Sequence, residues 1–133
     1  MVCTGRVVAS EKLGILLLSG THDRAHYAFV LAAGAAALGR SVIVFASNGG
    51  CRALLADWSQ LQDAGRDALI RARGVAGLGE LRAAAAELGV RLLVCEAGLR
   101  GEALADATLA EGVEVAGVAT FLSEIGGGQV LTI

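Results

Sequence analysis

Cys95 is the residue of this sequence with the clearest chemical potential. It closes the apolar run Leu92–Cys95, which predicts a buried strand, and a small-residue turn follows it. Ligands and chemistry in open α/β sheets collect just past the carboxyl ends of the strands. Amides at the start of a following helix, together with Arg91 and Arg100, would favour a thiolate nucleophile, whereas Glu96 would disfavour it. The alternative is that Cys95 is a small buried hydrophobic residue.

Cys51 is a second thiol that follows a predicted strand and the glycine-containing turn Asn48–Gly50. It could resolve an oxidised Cys95 or accept sulfur from it, or it could be a structural thiol at a helix start. With Cys3, the chain has three cysteines. This odd number argues against a disulfide framework and indicates a reducing compartment. Because no CxxC or CxxH spacing is present, a zinc site is not predicted.

His22 and His26 are four residues apart, and such a pair can bind a metal when it shares one face of a helix. No HExxH motif accompanies them. His22 could instead carry a proton or support Cys95, and a helix cap or surface position is the simpler interpretation. Neither Ser19–Thr21 nor Asn48–Gly50 matches a GxGxxG or GxxxxGK[ST] loop. We therefore predict no metal and no organic cofactor.

Strand-like runs alternate with helical periodicities along the chain. Apolar runs predict five strands, at Leu13–Leu18, Ser41–Ala46, Leu92–Cys95, Val113–Ala116 and Gln129–Ile133. Helical spacing predicts helices before Gly39, from Leu78 to Leu88, from Glu102 to Glu111 and from Val118 to Ile125. This alternation is typical of a parallel sheet with helices on both faces.

The stretch Arg52–Gly79 is harder to interpret. Short helices are predicted around Arg52–Trp58 and Asp63–Arg73, in a segment whose irregularity is typical of a lid or an interface. The acids here and in the next helix are interpreted as a solvated face; they are Asp57, Asp63, Asp67, Glu80 and Glu87.

Length and composition restrict the class of protein. The 133 residues predict one domain over 1–133 with a loose leader, Met1–Lys12. The net charge of −2 and the scattered arginines argue against a nucleic-acid partner. The longest smooth apolar run, Tyr27–Leu38, is far shorter than the roughly 20 residues that span a bilayer. No signal peptide is evident, so we expect a cytoplasmic protein without a membrane partner.

The segment Gly89–Gly101 resembles the strand, cysteine, turn and helix of the DsrE/DsrF-like family of small sulfur-relay proteins. The closing stretches Gly112–Val118 and Gln129–Ile133 are also similar to that family. The resemblance runs from Leu13 to Ile133 and is weakest across Arg52–Gly79.

The resemblance implies a five-stranded, mostly parallel three-layer sandwich of the flavodoxin-like or DsrE-like kind, assembled as a homo-oligomer, commonly a trimer or hexamer. It implies that Cys95, alone among the site candidates, carries a persulfide between sulfur donor and acceptor proteins. Cys51, His22 and Arg100 are supporting candidates from their positions in the sequence, and the resemblance assigns them no role. One alternative is a non-catalytic oligomeric module that binds a small ligand or a protein. Another is a thiol peroxidase in which Cys51 resolves Cys95.

Overall fold

Five parallel strands form one sheet, which confirms the α/β fold predicted from the alternating pattern. A computed structural model describes residues 12–133, and Met1–Glu11 of the predicted leader lie outside that range. The strands are β1 (Lys12–Leu17), β2 (Ser41–Ala46), β3 (Arg91–Cys95), β4 (Val113–Ala116) and β5 (Gln129–Thr132). Their order is β4-β3-β2-β1-β5, and every pairing is parallel. Lys12, assigned to the leader from the sequence, is the first residue of β1.

Helices cover the two faces of the sheet unequally. They are α1 (His22–Ala37), α2 (Arg66–Ala72), α3 (Leu78–Glu87), α4 (Glu96–Gly101) and α5 (Val118–Ile125), with a 3₁₀ helix at Asn48–Leu54. The larger core lies on the face of the sheet against which α1 and the 3₁₀ helix pack, and α3 packs on α1. The opposite face carries a smaller core built around α5. Within residues 12–133, no helix is both long and apolar enough to cross a lipid bilayer.

The sheet accommodates α5 because β1 lacks a side chain at Gly14. A Cβ atom there would lie 2.7 Å from Cδ1 of Ile125 and 2.9 Å from Cζ of Phe121. Phe121 stacks on Phe45 of β2, with ring centroids 5.0 Å apart. The outer surface of α5 exposes two large apolar side chains, Val118 at 55% and Leu122 at 58%, beside the polar Thr120 and Ser123.

The predicted helix Glu102–Glu111 is wrong. The helix of this region is α4, which starts directly after β3 and ends at Gly101 with Glu102 as its C-cap. The next residue, Ala103, takes a left-handed φ of 59°. The backbone N–H of Leu104 then donates to the carbonyl of Leu99 at 2.7 Å, which closes a Schellman-type end. The residues that follow are turns tied by two backbone hydrogen bonds to the chain just after the 3₁₀ helix. These bonds replace the helical ones that the periodicity predicted.

Both predicted short helices of the middle segment are present, with different bounds. The first is the 3₁₀ helix, which begins four residues earlier than expected, and the second is the shorter α2. The glycines of the first helix pack on the main chain at the end of β1 and just after it. A Cβ on Gly50 would lie 2.3 Å from the carbonyl oxygen of Leu17, and one on Gly49 would lie 2.9 Å from the nitrogen of Gly20. These glycines allow close backbone contact between two loops, which accounts for them without a phosphate ligand.

Candidate functional site

Cys95 is the residue at which β3 becomes α4. It takes an extended conformation, with φ −70° and ψ 122°, and is the N-cap of the helix. Its Sγ accepts a hydrogen bond from the backbone N–H of Gly98 at 3.3 Å, and the side chain is half-buried. A backbone N–H pointing at sulfur stabilises a thiolate more than a thiol, because the anion is the stronger acceptor. The site therefore offers a half-buried cysteine with one amide donor aimed at its sulfur.

The arginines expected beside Cys95 are engaged by carboxylates. Arg100 and Glu96 form a two-bond ion pair on the exposed side of α4, with Nε to Oε2 at 3.0 Å and Nη2 to Oε1 at 3.2 Å. Arg91 lies at the opposite end of β3 and pairs with Glu114 at 3.2 Å and Glu124 at 2.5 Å. The hydrogen bond that Cys95 receives thus comes from the main chain.

Gly98 is the point at which α4 contacts the loop after β2. A Cβ atom on Gly98 would lie 2.6 Å from Oγ of Ser47 and 3.1 Å from Sγ of Cys51. The same residue donates its N–H to Cys95. The structure therefore brings Cys51 and Cys95 to the same glycine, at the shared carboxyl edge of β2 and β3. Ser47 is a further polar group at this point that the sequence alone did not single out.

Cys51 has surroundings unlike those of Cys95. It is fully buried, and its thiol donates a long hydrogen bond of 3.9 Å to the carbonyl of Ala46. Burial raises the pKa of Cys51 to about 11, with Cys95 and Glu102 adding to the rise and Arg52 opposing it. Cys51 is therefore a protonated thiol at neutral pH, whereas the accessible sulfur of the pair is Cys95.

His22 lies at the start of α1 and is completely buried. Its Nε2 is 2.8 Å from Oδ1 of Asp67, and its Nδ1 is 3.1 Å from Nη1 of Arg66. Because arginine can only donate, Nδ1 is the acceptor and Nε2 carries the proton that it donates to Asp67. Both ring nitrogens of His22 are thus engaged by α2, and neither is directed to Cys95.

Asp67 is buried, although the sequence predicts that it lies on a solvated face. It is 6% exposed, and its Oδ1 also accepts the backbone N–H of Leu78 at 2.7 Å. Desolvation acts to raise the pKa of Asp67, but the hydrogen bonds from Leu78 and His22 outweigh it and hold that pKa below its ordinary value. His22 and Asp67 are 45 positions apart, so no local pattern could have linked them.

His26 stacks on His22, with ring centroids 5.6 Å apart, and its Nε2 lies 2.8 Å from the carbonyl oxygen of Ala76. The hydrogen bonds of these two histidines therefore hold the segment Arg52–Gly79 against α1. Among residues 12–133, no group of three or more His, Cys, Asp or Glu side chains is arranged to hold a metal ion.

No protein-family model and no curated protein sequence matches this chain. Two solved structures share its fold. The YchN protein from Escherichia coli superposes with a TM-score of 0.64 at 14% identity, over 93% of this chain and 99% of that one. MTH1491 from Methanobacterium thermoautotrophicum, a protein of unknown function, gives a TM-score of 0.56 at 17% identity, over 93% of this chain and 100% of the other. The chain thus has a YchN/DsrE-like fold.

Proposed function

We propose that this protein is a sulfur carrier that holds a persulfide on Cys95. The observation that carries the proposal is the position of Cys95, half-buried at the end of β3, with its Sγ hydrogen-bonded to the N–H of Gly98. The resemblance of Gly89–Gly101 to a sulfur-relay segment, and the fold shared with YchN, agree with it. Fold alone does not fix an activity, so the proposal depends on the thiol.

The transfer proceeds by two thiol exchanges. The Cys95 thiolate attacks the outer sulfur of a donor persulfide, so that a new S–S bond forms on Cys95 while the donor leaves as a thiolate. An acceptor thiolate then attacks that outer sulfur, and Cys95 departs as a thiolate. The N–H of Gly98 stabilises the anion at the beginning and end of this cycle. Neither step requires a metal or an organic cofactor, and both require the reduced thiols of a compartment such as the cytoplasm.

Mass spectrometry of the intact, reduced protein tests the proposal. After brief exposure to cysteine persulfide, Cys95 is expected to gain one sulfur atom, about 32 Da. The gain is expected to be absent in Cys95→Ser and retained in Cys3→Ser, which serves as the matched control. A folded, reduced chain that gains no sulfur, or a Cys95→Ser chain that gains as much as the native one, overturns the proposal.

A second candidate is a homo-oligomeric binding module, favoured by the exposed apolar side chains on the outer surface of α5. Parallel sheets are normally covered on both faces. Here α5, eight residues long, covers the smaller core, while Leu122 and Val118 project outward and Val130 of β5 is 40% exposed. We propose that a second copy of the chain packs on this surface. Cys95 also borders the smaller core, so such packing would place the copies beside the thiol.

A further inference from the structure

The two thiols of the site, those of Cys95 and Cys51, both lie close to Gly98. Cys95 Sγ lies 3.3 Å from the nitrogen of Gly98, and Cys51 Sγ lies 3.1 Å from the point where a Cβ of Gly98 would be. Because this residue is a glycine, it places no side chain of its own between the two sulfurs. Any larger residue would press its Cβ against Cys51 and Ser47.

The hydrogen bond made by Cys51 is weak. Its thiol donates to the carbonyl of Ala46 over a long 3.9 Å. Cys51 is shielded from reagents in solution, since its side chain is fully buried. Within the protein, its sulfur lies beside Gly98, the residue whose N–H donates to Cys95.

We propose that Cys51 resolves Cys95, closing an internal disulfide whenever Cys95 carries a leaving group on its sulfur. This inference rests on the proposed function, in which that leaving group is the outer sulfur of the persulfide. Closure to the disulfide bond length of about 2 Å draws the loop after β2 and α4 together. Gly98 leaves the space for this movement.

The reaction balances without an added oxidant. The sulfur of Cys51 attacks Sγ of Cys95; the Cys51–Cys95 bond forms, and the bond between Cys95 and the outer sulfur breaks. The Cys51 thiol gives its proton to the departing outer sulfur, which leaves as hydrogen sulfide. The sulfur of Cys51 is oxidised to the disulfide level, that of Cys95 is already at this level in the persulfide, and the outer sulfur is reduced to sulfide. If no acceptor thiol is present, the persulfide on Cys95 is thus lost. The protein then stays in the disulfide form until another thiol reduces it.

Persulfide lifetime is the first test, measured in a Cys3→Ser chain with and without Cys51→Ala after loading with cysteine persulfide and removal of excess reagent. With Cys51 present, the adduct is expected to decay at least about tenfold faster, to release hydrosulfide and to leave a chain lighter by two hydrogen atoms. Equal lifetimes overturn the inference while the proposed function stands. If no adduct forms on either chain, the proposed function fails.

Ellman's reagent tests the same closure independently of persulfides. A Cys3→Ser chain is expected to release two equivalents of thionitrobenzoate and to end as an internal disulfide. With Cys51→Ala added, it is expected to release one equivalent and to keep the adduct on Cys95. An adduct that persists on Cys95 while Cys51 is present overturns the inference.

Gly98→Ala keeps both thiols and covers the case in which Cys51→Ala fails to fold. Its Cβ would lie 2.6 Å from Ser47 Oγ, so we expect closure to slow by at least about tenfold. Gly101→Ala is the matched control, because a Cβ there meets no atom within 4 Å in the same helix. Circular dichroism confirms that each variant is folded. Closure at the same rate in the two variants contradicts the proposed route.

Discussion

At the scale of single residues, the two cysteines of the described chain differ in environment although both follow strands. Cys95 is half-buried and has a backbone donor, whereas Cys51 is fully buried beside a carbonyl acceptor. Burial favours the neutral thiol of Cys51, because an anion loses its hydration there. We therefore assign the reaction with outside thiols to Cys95 and the reaction within the protein to Cys51.

Differential alkylation measures the contrast directly. Because the pKa of Cys51 is raised from 9.0 to about 11, its thiolate fraction at neutral pH is about 100-fold lower than that of a free thiol, before shielding is considered. Iodoacetamide at pH 8 is expected to modify Cys95 and to leave Cys51 intact, as read by peptide mass mapping. In urea, both residues are expected to react. Equal modification of Cys51 in the folded chain would refute this assignment.

The buried carboxylate of Asp67 supports stability through its two donors. Asp67→Ala leaves the N–H of Leu78 and the ring of His22 without their acceptor, so it is expected to cost about 1–3 kcal/mol in free energy of unfolding at pH 7. Urea denaturation measures the change. Glu87→Ala, at an exposed position of α3, is the control and is expected to change stability by less than about 0.5 kcal/mol.

The stabilising effect of Asp67 also depends on pH. The folded pKa lies below the ordinary 3.8, so the stabilisation is present above that pH and is lost as the pH falls through the folded value. The difference between the native chain and Asp67→Ala is therefore expected to shrink between pH 5 and pH 2.5, as followed by urea denaturation at each pH. A difference that grows on acidification would contradict the hydrogen-bonded carboxylate.

At the scale of elements, α4 is a short helix defined by its two ends. Its first residue follows the Cys95 cap, and its last turn closes through Ala103 in the left-handed region. A non-glycine residue in that conformation carries strain because Cβ crowds the backbone. The helix therefore holds the thiol in place at one end and retains some strain at the other.

Relief of that strain is testable. Ala103→Gly is expected to raise the free energy of unfolding by about 1 kcal/mol, because glycine adopts a φ of 59° without a Cβ penalty. Thermal and urea denaturation measure the gain. Ala105→Gly, at an exposed turn position nearby, lacks a positive φ and is expected to be neutral or destabilising. If both substitutions have the same effect, Ala103 is not strained.

At the scale of the whole molecule, the sheet is asymmetric. One face bears the larger core with α1, α3 and the 3₁₀ helix, and the other bears α5 and its small core. The apolar residues on the outside of α5 are those that a second copy would bury, because exposed apolar patches on a soluble protein mark contact sites.

Substitution on α5 tests the assembly. Leu122→Glu is expected to lower the molar mass in sedimentation equilibrium to that of one chain, because burial of the new charge is costly. Leu38→Glu is the control; Leu38 is 79% exposed and follows α1, which lies on the other face. A native chain that sediments as a monomer at tens of micromolar, or equal effects of the two substitutions, would contradict this interface.

Much of the architecture was predictable from sequence because a parallel sheet buries both faces of its strands. The three central strands, β1, β2 and β3, are therefore mainly apolar runs. β2 and β4 have the predicted bounds, while β1 and β3 begin one residue earlier. The helix predicted from Glu102 failed because distant backbone partners determine that segment. The spacing of apolar residues along the chain does not show which distant backbone groups will form these hydrogen bonds.

The candidate site was only partly predictable for the same reason. The rule on carboxyl ends of strands placed Cys95 and Cys51 at one edge, but their shared contact with Gly98 depends on how α4 packs. The burial of Asp67 and His22 depends on a pairing between α1 and α2 that no spacing encodes.

The donor at Cys95 is a peptide amide, and this limits how much of the sequence the site constrains. A centre made of main-chain groups needs few specified side chains: one cysteine, and a neighbour small enough to let the loop close in. We therefore expect substitutions at most other surface positions to leave the hydrogen bond at Cys95 intact wherever the fold is kept. The YchN and MTH1491 structures, at 14% and 17% identity, show that this fold is kept across very different sequences.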